Sequence, residues 1–183
     1  MRFSYQTEQW LPHPLPLVFE FFANPANLPR LMPPWQKAHI DWSSYRMPPP
    51  RPRDRSQFRS EIAGAGSRIT LSFRPIPILP SRIEWQAEIA EFEWDDRFCD
   101  LQLKGPFAFW KHCHYFRAVT EDTGDGPRLG AKVIDHVEYE LPFGAIGSIA
   151  HRLFLRGQIK RTFAWRHSRL AQLLVETPIK SSP

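Results

Sequence analysis

The stretch Phe143 to Val175, FGAIGSIAHRLFLRGQIKRTFAWRHSRLAQLLV, decides the fold. It holds no proline and no acidic residue, and its Gly and Ala cluster near the start. At about 100° per residue, Ile146, Ile149, Ala150, Leu153 and Phe154 share one face of a helix. Leu155, Ile159, Phe163, Leu170 and Leu174 share another face, about 120° around. A continuous helix of about 33 residues would run about 50 Å. Gly157 sits at the changeover between the two faces, where a bend or a change of packing partner is expected. An apolar side that wide needs a large partner surface, and the rest of the chain reads as a curved sheet.

Upstream, Ile69, Leu71 and Phe73 alternate with Arg68, Thr70 and Ser72. Ile83, Trp85, Ala87 and Ile89 alternate with Glu84, Gln86, Glu88 and Ala90. Period-2 alternation of this kind marks strands. Further strands are expected at Arg97–Leu103, Phe107–Thr120 and Leu129–Leu141, with Gly124-Asp125-Gly126-Pro127 as a hairpin turn. Connections this short make neighbouring strands antiparallel. The opening reads as a strand, Phe3–Leu11, then a short helix, Leu17–Ala23, started by Pro14 and Pro16 and ended by Asn24-Pro25. A second helical turn spans Asn27–Met32 and runs into Pro33-Pro34-Trp35. His39–Trp42 is a brief strand. Ser43 to Arg59 combines Pro48-Pro49-Pro50 with five arginines, Arg46, Arg51, Arg53, Arg55 and Arg59. It lacks a hydrophobic period, so residues 43–60 are expected to form an exposed loop. Aromatic residues are too thinly interleaved there for a nucleic-acid stacking surface.

The chain has 183 residues, 42% hydrophobic and 14% aromatic, which suits one domain with a sizeable core. We expect a single domain over residues 1–176 and a tail over 177–183. No apolar run is long enough to span a bilayer, and the N-terminus lacks the long apolar stretch of a secretory signal. Cys99 and Cys113 cannot make a disulfide framework or a four-thiolate metal site, so a reducing, cytoplasmic location is expected. The net charge is +5. Between Leu141 and Val175 lie Arg152, Arg156, Lys160, Arg161, Arg166 and Arg169 and no acidic residue; the remaining chain sums to −1. On the helical wheel these six spread over wide angles, which argues against tracking a phosphate backbone. Most of them are expected to keep the outer side of the helix hydrated. Contact with an anionic membrane surface is the weaker expectation.

Strand alternation also assigns a candidate site. In Phe107–Ala118 one set is Ala108, Trp110, His112, His114, Phe116 and Ala118, while Lys111 and Arg117 belong in water. His112 and His114 therefore point inward between Trp110 and Phe116. Asp135 falls among the apolar set Ala131, Val133, Val137, Tyr139 and Leu141. A buried carboxylate costs several kcal/mol unless paired, and the adjacent strand offers two imidazoles. Three readings are open: a satisfied structural cluster, an anchor for a ligand's polar head, or a metal or acid–base site. Two His at i and i+2 can chelate, but no third histidine or close carboxylate lies in the same strand. No metal and no cofactor is assigned. Local alternation puts Cys99, Leu101 and Leu103 on the apolar face and Asp100 outside. Gly64-Ala65-Gly66-Ser67 lacks the features of a phosphate loop, and no Gly-x-Ser-x-Gly elbow occurs.

Several stretches together resemble one superfamily. They are Val18-Phe19-Glu20-Phe21-Phe22-Ala23-Asn24-Pro25-Ala26-Asn27-Leu28, Pro33-Pro34-Trp35, and Gly105-Pro106-Phe107 with Trp110, His112, His114 and Phe116. Asp135-His136-Val137-Glu138-Tyr139-Glu140-Leu141-Pro142-Phe143-Gly144 and Phe154-Leu155-Arg156-Gly157-Gln158 continue the likeness. The chain resembles the SRPBCC ligand-binding proteins over nearly its whole length. That superfamily includes the StAR-related lipid-transfer domains, the birch pollen allergen and the polyketide cyclases. The resemblance implies an α+β helix-grip fold: a seven-stranded curved antiparallel sheet around a long C-terminal helix, with two short helices after the first strand. It implies a cavity for an apolar or amphipathic small molecule, lipid-like or polycyclic, with His112, His114 and Asp135 orienting a polar end. Trp110, Phe116, Tyr139 and Trp85 would line it. The pattern Phe98-x-Asp100-x-Gln102 implies that Asp100 and Gln102 face the cavity, against the local alternation. A cyclase or dehydratase using the same His/Asp group, or an interaction module using the basic surface, are the alternatives. The chain departs from the superfamily in the length of Ser43–Arg59 and in Ala164-Trp165 before Arg166, where a more polar pair is expected.

Overall fold

A computed structural model of the chain describes residues 1–52, 61–75, 81–144, 147, 149 and 151–176. Alternating polar and apolar residues become strands β1 (Arg2–Leu11), β2 (His39–Ser44), β3 (Arg68–Phe73), β4 (Ile83–Glu93), β5 (Arg97–Lys104), β6 (Phe109–Asp122) and β7 (Pro127–Glu140). Between β1 and β2 lie α1 (Leu15–Ala23) and the single turn α2 (Leu28–Leu31), and α3 (Arg156–Glu176) follows the sheet. The seven strands form one sheet in the order β1-β7-β6-β5-β4-β3-β2, each antiparallel to its neighbours. This is the helix-grip arrangement expected from the sequence. Pro16 lies in the first turn of α1, where a missing N–H costs nothing.

The sheet and α3 meet in two apolar clusters. Phe19 of α1 is fully buried, with its ring 5.0 Å from Phe116 and 6.0 Å from Phe98. Leu170, Leu173 and Leu174 of α3 join the same cluster. Burying each such side chain contributes about 1.5–3 kcal/mol. Nearer the N-terminal half of α3, Ile159 and Phe163 pack with Val137 and Tyr139. Both clusters use the second of the two helical faces expected from the sequence.

The first face behaves differently. Residues His151–Leu155 form a π-helical turn immediately before α3, just ahead of Gly157. Such a turn inserts extra backbone and rotates the phase of everything before it. Ile149, Leu153 and Phe154 are accordingly exposed, Leu153 to 82%. Ile146 and Ala150 of that face lie outside the described residues. So do residues 53–60 of the Arg/Pro-rich segment and the tail 177–183.

The described part of the Arg/Pro segment is largely exposed, yet it is anchored on the body. The Arg51 guanidinium pairs with the carboxylate of Glu20, which is buried in α1, and stacks 4.4 Å over the Trp94 ring. Trp94 Nε1 donates to the Pro49 carbonyl at 2.8 Å. A Cβ on Gly64 would stand 2.5 Å from Pro48 Cα, so only glycine permits this approach. A buried carboxylate needs a cation, and that need draws the segment onto the body.

Cys99 and Cys113, paired across β5 and β6, are joined by a disulfide. The cysteines therefore lend no support to a reducing compartment. Among the described residues no helix is long and apolar enough to cross a membrane.

Candidate functional site

Cross-strand register brings the site together. Asp100 of β5 stands opposite His112 of β6, and Phe98 opposite His114. On the other side of β6, His114 stands opposite Asp135 of β7. Facing residues on neighbouring antiparallel strands share a side of the sheet, so two carboxylates and two imidazoles converge. Asp135 Oδ1 lies 2.9 Å from Nε2 of His112 and 2.7 Å from Nδ1 of His114. Only the first contact has hydrogen-bond alignment. Asp100 Oδ1 is 3.8 Å from Nδ1 of His112.

Burial would push the Asp135 carboxyl up, but the Arg166 guanidinium, His114 and the imidazole contacts outweigh it and hold it well below the usual carboxylate range. Asp135 is therefore ionised, and the Nε2–H of His112 donates to it. Burial, reinforced by His112, pushes His114 down from 6.5 to about 3, against the pull of Asp135. His114 is a neutral imidazole at physiological pH. Burial raises the Asp100 carboxyl despite the opposing pull of His112 and Arg166.

These groups stand in the wall of a cavity of about 410 Å³ between the sheet and α3. Phe22, Leu71, Ala87, Phe98, Ile159 and Phe163 supply part of its apolar lining. Of the residues singled out from the sequence, Asp100, His112, His114, Trp85 and Trp110 line it. Trp85 and Trp110 meet edge to face at 5.1 Å. The cavity position of Asp100 follows the superfamily pattern, not the local alternation; register shifts between β4 and β5 fall beside it.

Four of the residues singled out lie elsewhere. Asp135 sits behind the two histidines, 2% exposed. Phe116 belongs to the core under Phe19. The Tyr139 hydroxyl lies 2.8 Å from Nε2 of His151 and ties β7 to the π-helical turn. Gln102 does not line the cavity: its amide donates to the Phe107 carbonyl at 2.8 Å and accepts from the Phe107 N–H. A Cβ on Gly105 would stand 2.4 Å from the Gln102 side-chain oxygen, so Gln102 and Gly105 together close the turn that presents Phe107.

Sequence reading did not single out Arg166 among the six basic residues of the helix. It lines the cavity, with its guanidinium 5.1 Å from the Phe22 ring and 5.8 Å from Phe163. Its buried Nε has no hydrogen-bond partner among the described residues. A signal was present: Arg166 lies three residues after Phe163 and four before Leu170, on the buried stripe.

No protein-family model and no curated protein sequence matches the chain. Solved structures do. The protein TTHA0849 of Thermus thermophilus superposes with a TM-score of 0.61 at 16% identity, covering 94% of this chain and 97% of that one. Ara h 8.0201 gives 0.59 at 10% identity, over 97% of this chain and 100% of its own. The fold they share with this chain is the helix grip. Norcoclaurine synthase from Thalictrum flavum, solved with dopamine and hydroxybenzaldehyde, also shares this architecture. It gives 0.58 at 12% identity, over 97% of this chain and 89% of that one. Identities this low establish a shared architecture, and the chemistry of the cavity here must be argued from its own residues.

Proposed function

We propose that the chain binds one apolar or amphipathic small molecule, lipid-like or polycyclic, in the cavity between sheet and α3. The observation that carries this reading is the cavity itself, about 410 Å³ and lined largely by aromatic and aliphatic side chains. That volume falls in the usual range for small-molecule sites, about 300–1,000 Å³. Asp100, His112, His114 and Arg166 in its wall would orient the ligand's polar end. Asp135 holds the two rings from behind. Native mass spectrometry of the purified chain should show a co-purifying small molecule, and an apolar fluorescent probe should bind one to one and be displaced by extracted ligand. A chain that carries no adduct and takes up no probe contradicts the reading.

A second reading rests on a different observation. Asp100, with its carboxyl raised, and His112 face one another across 3.8 Å on the cavity wall. A proton donor and acceptor placed so could serve a cyclisation or dehydration. It requires that Asp100→Asn abolish turnover while leaving the melting temperature nearly unchanged, and that His112→Gln abolish it in the protein that remains folded. Turnover that survives both substitutions rejects it.

A further inference from the structure

Within β6, His112 and His114 offer two imidazoles and the strand holds no third histidine and no carboxylate close to them; the sheet supplies one from β5. The ligand atoms of Asp100, His112 and His114 all lie within 4.8 Å of one another. We propose that Asp100, His112 and His114 form a site for a divalent first-row transition metal, zinc or iron(II), opening onto the cavity.

The donor set suits such an ion. Two imidazoles and one carboxylate on one wall form a facial triad that leaves the remaining positions free for water or another ligand. A metal about 2.0–2.2 Å from each donor requires donors about 3–4 Å apart. Nδ1 of His112 and Oδ1 of Asp100 are already 3.8 Å apart. Small side-chain rotations would bring the third donor into range.

The surroundings favour the same reading. Nε2 of His112 bonds to Asp135 at 2.9 Å, which leaves the Nδ1 lone pair on the side of Asp100. The same carboxylate oxygen lies 2.7 Å from His114 Nδ1. Carboxylates behind metal-binding imidazoles fix ring orientation and tautomer, and Asp135 is placed to serve two rings at once. Charge agrees as well. With Asp100 ionised, as a metal ligand must be, two carboxylates stand against the single guanidinium of Arg166, one negative charge in excess. A dication offsets it. None of this rests on the binding of an apolar ligand.

The test uses the full chain, stripped with a chelator and titrated with Co²⁺ and then Zn²⁺. We expect one Co²⁺ per chain with visible d–d absorption, displaced by Zn²⁺. Asp100→Asn and His112→Gln should each weaken uptake at least about 10-fold, and Asp135→Asn about 10–100-fold. His39→Ala, at the exposed His39–Asp41 pair on β2, should change nothing. Melting curves accompany each variant, and should His112→Gln fail to fold, Asp100→Asn decides. No stoichiometric uptake, uptake indifferent to Asp100→Asn, or uptake lost in His39→Ala would each overturn the site. Probe binding to the cavity is scored separately, so failure of one proposal does not carry the other with it.

Discussion

Asp135 accepts a 2.9 Å hydrogen bond from Nε2 of His112, fastening β7 to β6 behind the cavity wall. Both residues are less than a tenth exposed. Removing one partner of a buried charged pair leaves the other uncompensated, at a cost of about 3–5 kcal/mol. We expect Asp135→Ala to lower the melting temperature by roughly 6–20 °C in calorimetry, at about 2–4 °C per kcal/mol for a chain of this size. A fall of under 2 °C would show that the pair contributes little.

The same cluster sets the acid limb of stability. His114 is pushed from 6.5 to about 3 in the folded chain, so the unfolded chain binds its proton first. That contribution is complete above pH 6.5 and is lost as pH falls toward 3. Asp135, held below its ordinary 3.8, adds stability that disappears only below that value. Melting temperature against pH should be level above about 6.5, fall through the range below it, and steepen under about 4. His114→Gln should flatten the upper part of that decline and leave the lower part. An unchanged profile in the variant would reject the assignment.

Arg166 stands on the cavity wall against two aromatic rings, and its buried Nε has no hydrogen-bond partner among the described residues. If the ligand's polar end is acidic, a charge-assisted bond to this guanidinium is worth about 1.5–3 kcal/mol. Arg166→Leu should therefore weaken acid-ended apolar compounds by about 10-fold or more, while neutral analogues of the same shape keep their affinity. Equal losses for both would make Arg166 a packing residue.

The Cys99–Cys113 bridge closes a sequence separation of 14 residues. In the chain-entropy picture such a loop is worth about 3 kcal/mol. Reduction, or Cys99→Ala with Cys113→Ala, should lower the melting temperature by several degrees. A cytoplasmic location, the proposal made from the sequence, predicts free thiols in protein trapped with alkylating agent at lysis. Blocked thiols would move the chain to an oxidising compartment.

Much of the fold was legible because alternation and helical period are local. Ile69, Leu71 and Phe73, or Val133, Val137 and Tyr139, declare their strands without help from any neighbour. The inward course of His112 and His114 and the burial of Asp135 followed from the same parity. What escaped depended on pairing between distant segments. Asp100 reads as solvent-facing along its own strand, and its place beside His112 is set by register with β6. Gln102 shares that strand, yet its amide is taken up by the Phe107 turn. The π-helical turn at His151–Leu155 broke the phase of a helix read as continuous. The docking of Arg51 on Glu20 needed both partners in view at once.

Filling the cavity is the most direct trial of ligand binding. Ala87 is 7% exposed and lines the cavity on β4, so a larger side chain there grows into open space. The measurement is titration of an apolar fluorescent probe into wild type and Ala87→Trp, each with its melting curve. We expect one probe per wild-type chain and at least about 10-fold weaker binding in a variant that melts within a few degrees of it. Equal probe affinity in a folded Ala87→Trp chain would place binding outside the cavity and contradict the proposed function.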